Sequence, residues 1–222
     1  RLIRSSSASL PPAVFEELND VFKCPVIEAY GMTEAAHQMT SNPLGDGKQK
    51  PGFVGIATSP EVCIMDQEGN RLTGDAEGEV CIRGDNVTPG YENNPAANES
   101  SFTSGWFRTG DQGFFDGDGY LKITGRLKEI INRGGEKVSP LEVDNVLMEH
   151  PAVQQVVTFA VADRMLGEEI GAAVVLADGG ELDAAGLRAH AETHLAKFKI
   201  PKHIVVLHEI PKGATGKLQR IG

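Results

Sequence analysis

The chain has 222 residues, 40% hydrophobic and 23% charged, with 21 basic against 31 acidic side chains and a formal charge of −10. That is an ordinary soluble globular composition, enough for one large domain or two small ones, and its charge repels nucleic acid and anionic membrane overall. Three cysteines (Cys24, Cys63, Cys81), odd in number and without a CxxC, argue against a disulfide framework or zinc site and for a reducing compartment, cytoplasmic by default.

No apolar run reaches transmembrane length, and no stretch reads as a secretory leader or a Ser-Lys-Leu peroxisomal address. The opening Arg1-Leu2-Ile3-Arg4, without Met, has the texture of an interior strand, so the expectation is a portion of a longer protein.

In chain order, Leu2 to Arg4 predicts a strand and Ser5-Ser6-Ser7-Ala8-Ser9 a loop of small residues. Pro11 to Phe22 predicts a helix whose Val14, Phe15, Leu18, Val21 and Phe22 share one buried face. Pro25 to Tyr30 is a short strand, so residues 1–50 open as a β-α-β piece of a layered domain. From Gly52 to Gly125 short β-type runs (Val62 to Met65, Glu79 to Arg83, Tyr120 to Thr124) alternate with turns such as Glu68-Gly69-Asn70 and Gly117-Asp118-Gly119. That texture predicts a small antiparallel barrel or sheet over 51–127.

A boundary falls near Lys128, and 128–222 forms a compact α/β unit. Ser139-Pro140-Leu141-Glu142 is a helix start, with Ser as cap, Pro at the first helical position and Glu at the third. Val153 to Val161, Ile170 to Leu176 and His203 to Leu207 predict strands, and Asp183 to Leu195 a helix. The fold class is mixed α/β.

Gly125 to Lys137 places Arg126, Lys128, Arg133, Lys137, two acids and Gly134-Gly135 between two apolar runs. The glycines permit a sharp turn close to a ligand, and the basic groups suit an anion such as phosphate. Its companions are Tyr30-Gly31-Met32-Thr33-Glu34, Trp106-Phe107-Arg108-Thr109-Gly110-Asp111, and Pro211-Lys212-Gly213-Ala214-Thr215-Gly216-Lys217. In this order the four resemble the adenylate-forming (AMP-binding) enzymes: acyl-CoA synthetases, peptide-synthetase adenylation domains and luciferases.

The resemblance covers essentially the whole chain and matches the back part of that family: the end of the large domain, a β-barrel subdomain, a hinge and a small mobile lid. It implies ATP, Mg²⁺ and coenzyme A, with a carboxylic acid adenylated and then passed to the thiol of CoA. Glu28, Ala29, Tyr30, Gly31, Met32, Thr33, Asp111, Arg126 and Lys217 would bind the nucleotide. Tyr30 would lie against adenine, Thr33 would donate to the α-phosphate, and Glu34 would ligate Mg²⁺. Asp111 would accept from the ribose hydroxyls, and Lys217 would bring its charge to the developing phosphorane. Lys128 would be the hinge, and Arg133, Gly134 and Gly135 would face the pantetheine of CoA. The family's Ser/Thr/Gly-rich phosphate loop has no match here, so the missing N-terminal portion of the same enzyme would supply it, and the piece alone would not adenylate.

Each residue also has a plainer role open to it. Thr33 and Glu34 can cap a helix, Asp111 can be a turn residue, Arg126 a surface ion pair, Lys217 a solvated tail lysine, and Gly134-Gly135 a plain turn. Past the common motif, Glu34-Ala35-Ala36-His37-Gln38-Met39-Thr40-Ser41-Asn42-Pro43, Arg4-Ser5-Ser6-Ser7-Ala8 and the run Asn132 to Val143 resemble the oxalate–CoA ligase branch, in which Ser7 and His37 would line the acid pocket. A His and a hydroxyl suit the second carboxylate of a small dianion. A fatty-acid ligase, loading of a carrier protein instead of CoA, and a non-catalytic nucleotide-binding module stay open.

Overall fold

The computed structural model describes residues 1–6, 8–45, 47–213 and 220. The chain divides into two compact units, Arg1–Leu127 and Lys128–Gly222.

In the first unit, β1 (Ile3–Ser5) runs parallel to β2 (Val26–Met32), with helix α1 (Pro12–Phe22) connecting them. Pro12 pre-sets the helical φ of the first turn, and Lys23, left-handed at φ 47°, ends the helix by giving its N–H to the Asn19 carbonyl. The expected buried face is only partly buried: Phe15 is inside, while Val21 and Phe22 are 65% and 60% exposed. Periodicity tells which residues share a helix face, not whether anything lies against each turn. Among the described residues nothing buries the last turn. Strand β2 reverses through a 3₁₀ turn, Thr33–Ala35, into antiparallel β3 (His37–Ser41), and β4 (Ile56–Ala57) pairs with β3 to complete a four-stranded sheet.

The second sheet is built from β5 (Glu61–Met65), β6 (Arg71–Leu72), β7 (Gly78–Arg83), β8 (Phe102–Thr103), β9 (Trp106–Phe115) and β10 (Leu121–Arg126). Helix α2 (Pro95–Ser101) precedes β8, its N-terminus capped by the Asn94 side chain. The order is β10-β9-β7-β5-β6 with β8 on β9, all antiparallel. The sheet curls as a half-barrel. Strand β7 supplies both of its cores, with Val80 and Ile82 on one face and Cys81 against Met65 and Trp106 on the other. Burial pushes the Cys81 thiol up to about 12, so it packs as a small apolar group.

In the second unit, β11 (Ile131–Arg133) and β12 (Glu136–Val138) form a hairpin that leads into helix α3 (Pro140–Met148). The Ser139 hydroxyl accepts the Glu142 N–H, so the start expected from Ser-Pro-Leu-Glu forms as a cap. The long antiparallel pair β13 (Val153–Asp163) and β14 (Gly167–Leu176) follows, then α4 (Ala184–Glu192), then β15 (His203–Val206) parallel to β14. Helix α4 is capped by the Asp183 side chain and ends three residues before the expected Leu195, which nonetheless stays in the core. Strand β14 is covered on both faces: Ile170, Ala172 and Val174 pack in one cluster, Ala173 and Val175 in the other. That is why its sequence is a continuous apolar run instead of an alternation. No described helix is long and apolar enough to cross a membrane.

Candidate nucleotide site and glycine hairpin

The motif Tyr30 to Glu34 straddles the end of β2 and the 3₁₀ turn. Its glycine is a packing necessity. A Cβ on Gly31 would sit 1.4 Å from the His37 carbonyl oxygen, because the turn brings the return strand back at once. Ala36 and His37 take positive φ (49° and 84°) to make that reversal, and His37 emerges exposed, opposite Met32. Thr33 is exposed and Glu34 half-buried. A loop that sequence reasoning missed holds this turn in place. Thr88 N–H donates to the Glu34 carbonyl (2.7 Å), Asn86 Nδ2 to the Ala35 carbonyl (2.8 Å), and the Tyr91 hydroxyl to Glu34 Oε1 (2.9 Å). Burial and the Glu34 charge push the Tyr91 phenol up, so it remains a donor. Asn86, Thr88, Pro89, Gly90 and Tyr91 together were the available signal: turn formers interleaved with hydrogen-bonding side chains.

Asp111 lies where two strands bulge. Between β7 and β9 the register passes from Glu79 opposite Gln112 to Cys81 opposite Arg108, so Thr109, Gly110 and Asp111 together face the single residue Val80, two in excess on β9. Glu79 secures the bulge, pairing with Arg108 and accepting the Gly110 N–H at 2.9 Å. A second shift in β10 sets Arg126 directly opposite Asp111. Asp111 is 5% exposed. Its Oδ2 accepts the Tyr30 phenol at 2.5 Å and its Oδ1 the Arg126 Nε at 2.9 Å. Burial, then the Asp111 charge, holds the Tyr30 phenol well above its usual range, so it is a fixed proton donor. A carboxylate accepts about four hydrogen bonds, so each oxygen keeps capacity for another donor. The structure thus joins Tyr30, Asp111 and Arg126.

Glu28, two positions before Tyr30 on β2, has a different partner. It is 4% exposed, its Oε1 accepts the Gly52 N–H at 2.9 Å, and burial pushes its carboxyl up to about 7 despite that bond. Neighbouring Ala29 is buried.

In the second unit Lys128 is exposed in a short 3₁₀ turn, Leu127–Glu129. Gly134 and Gly135 are the two central residues of the hairpin turn, with Arg133 paired to Glu136. Their φ values of 60° and 98° are those of a type I′ turn, which matches the twist of the strands it joins. Arg133 is a strut: Nε and one terminal nitrogen grip both oxygens of Glu169, which is 1% exposed, at 2.5 and 3.0 Å. The partner was invisible in the sequence, being 36 positions away. Ser7 and Lys217 lie outside the described residues, as do Ala214, Thr215 and Gly216 of the same motif.

Residues 1–92 match the sequence profile of the AMP-binding enzyme family, and residues 142–217 that of the AMP-binding enzyme C-terminal domain. The chain belongs to this family. Among curated proteins it is 53% identical over 221 residues to a probable CoA ligase of Humulus lupulus, covering 99% of this chain and 42% of the relative. It is 51% identical to an oxalate–CoA ligase of Arabidopsis thaliana, over 99% of this chain and 43% of that protein. Among solved structures, ATP-bound MatB from Rhodopseudomonas palustris superposes with a TM-score of 0.92 at 34% identity, over 99% of this chain and 44% of that one. The chain therefore spans about two fifths of the length of these relatives.

Proposed function

We propose that this chain is the C-terminal portion of an AMP-forming acid–CoA ligase, which joins a carboxylate to ATP, releases pyrophosphate and passes the acyl group to CoA. The observation that carries this reading is Asp111, a buried carboxylate set on a double bulge, with Tyr30 and Arg126 fixing one oxygen each. Such a carboxylate accepts from the two hydroxyls of a ribose without reorganising. Glu34, half-buried and steadied by Tyr91, is a hard oxygen donor suited to Mg²⁺, and Thr33 beside it offers a hydroxyl to a phosphate. The bound ion would supply charge compensation at the phosphoryl oxygens. Lys217 would add the fixed cation, Lys128 would be the hinge between the half-reactions, and the Gly134-Gly135 turn would be the narrow face presented to the CoA thiol. The front portion found in longer relatives would complete the ATP site. Cysteine usage supports a cytoplasmic enzyme.

For the acid we propose oxalate. Support comes from the exposed His37 beside the motif turn, the Ser5-Ser6-Ser7-Ala8 sequence, and the 51% identity to an oxalate–CoA ligase. The test is pyrophosphate release from ATP and Mg²⁺ with oxalate, malonate, acetate or octanoate, for the chain alone and for the chain extended upstream. Turnover confined to the extended form and best with oxalate is expected. Preference for octanoate would discard the oxalate assignment but keep the class. AMP binding without turnover in either form would leave a binding module.

A further inference from the structure

The C-terminal ends of α3 and α4 meet, and a group of potential ligands stands there that the proposed ligase chemistry does not use. Glu149 caps α3, His190 is in the last turn of α4, and His194 follows the cap of that helix. One ligand atom from each of the three lies within 4.8 Å of the others, the sole such grouping of His, Cys, Asp and Glu among the described residues.

Hydrogen bonding has already sorted the tautomers. His190 Nε2 is 2.9 Å from the Val146 carbonyl, which can only accept, so Nε2 carries the proton and Nδ1 keeps its lone pair. The single Thr193 hydroxyl proton goes to the His190 carbonyl at 2.7 Å. His194 Nδ1, 2.6 Å from that hydroxyl oxygen, must then be the donor, which leaves the lone pair on Nε2. Each imidazole thus donates through one nitrogen and keeps a lone pair on the other, the usual condition of a histidine that binds a metal. The His150 ring stands perpendicular to His190 at 5.2 Å and props it. Two helix C-termini add partial negative charge.

We propose that Glu149, His190 and His194 bind a divalent transition metal of borderline softness, for which Zn²⁺ is the probe. Two imidazole nitrogens and a carboxylate suit such an ion and leave a fourth position to water. A tetrahedral ion would draw the ligand atoms to about 3.3 Å apart. Glu149 and His194 are exposed side chains and can make that movement. The ion would staple α3 to α4. The cysteine pattern gives no hint of this site, because no thiol takes part.

The test is titration of the untagged 222-residue chain with Zn²⁺ against a chromophoric chelator, followed by thermal unfolding with and without the ion. One equivalent should bind, Mg²⁺ should not compete, and Zn²⁺ should raise the unfolding midpoint. His194→Ala and Glu149→Gln, both at exposed positions, should each weaken binding at least tenfold and abolish the thermal shift. Co²⁺ should give visible d–d bands without the intense near-ultraviolet absorption of thiolate ligation. Absence of binding at 1 mM ion, thiolate absorption, or less than tenfold loss in both variants would overturn the proposal.

Discussion

The Tyr30 hydroxyl donates to Asp111 at 2.5 Å across 81 positions of sequence, while Arg126 holds the other carboxylate oxygen. The two partners differ in what they cost to remove. Tyr30 is largely inside, so Tyr30→Phe leaves a buried carboxylate oxygen without its donor and should lower stability by about 1–3 kcal/mol. Arg126 is 60% exposed, so Arg126→Ala should change stability by less than about 1 kcal/mol. In the complete enzyme Arg126→Ala should instead raise the KM for ATP. Urea unfolding and ATP kinetics on both variants decide the matter. Equal destabilisation by the two would contradict this division of labour.

Glu28 predicts a pH dependence. Its carboxyl titrates near 7 in the folded protein against 4.5 when unfolded, because burial disfavours the charge. A raised pKa means the folded state holds its proton more tightly, so this contribution is complete below pH 4.5 and is lost as pH rises to about 7. The change amounts to about 3 kcal/mol at 1.36 kcal/mol per pKa unit. Glu28→Gln retains an oxygen for the Gly52 N–H and cannot ionise. The stability difference between variant and parent should move toward the variant by about that amount between pH 4.5 and 7. A difference that stays flat over this window would mean Glu28 is solvated.

Local chemistry made several elements legible: the Ser139-Pro140 helix start, the apolar run of β14, and the turns between short strands. The places where reading stopped have one physical cause, that partners far apart in sequence set them. Val21 and Phe22 have the right periodicity, and among the described residues nothing buries them. Asp111 faces Arg126 only because β10 bulges between Ile123 and Gly125, and no spacing rule announces a bulge. Arg133 looks like a free anion-binding residue until Glu169 arrives from β14. The candidate site residues came from a family resemblance; Tyr91, which bonds Glu34, and Glu79, which holds Arg108 and the Gly110 N–H, had no signal in it.

The Gly134-Gly135 turn can be separated into backbone need and ligand need. Gly134 has φ 60°, a value Asn adopts readily at the first position of a type I′ turn. A new Cβ there meets the Leu166 side chain, Cδ2 at 3.0 Å and Cβ at 4.0 Å. Gly134→Asn should therefore leave stability within about 1 kcal/mol. If the turn faces the CoA thiol, the same variant in the complete enzyme should slow thioester formation at least tenfold and spare pyrophosphate release. Intact rates in both half-reactions would reduce the double glycine to a hairpin turn.

In the second unit the buried Asp144 carboxylate depends on Arg220. Asp144 is 6% exposed and accepts the Thr158 N–H at 2.7 Å. Burial pushes its carboxyl up, and the Arg220 charge opposes that rise. Arg220 contacts Asp144 Oδ2 at 2.6 Å, Glu129 Oε2 at 3.1 Å and the Thr158 carbonyl at 3.1 Å. Removing the arginine strands a buried carboxylate, so Arg220→Ala should cost about 3–5 kcal/mol. Asp144→Asn, with the charge gone, should cost less. The double variant should be more stable than the sum of the single effects requires, because Asn has no charge left to strand. Denaturant unfolding of the four proteins measures that coupling. Simple additivity would show that Asp144 is neutral in the fold and that Arg220 acts through Glu129 and the Thr158 carbonyl.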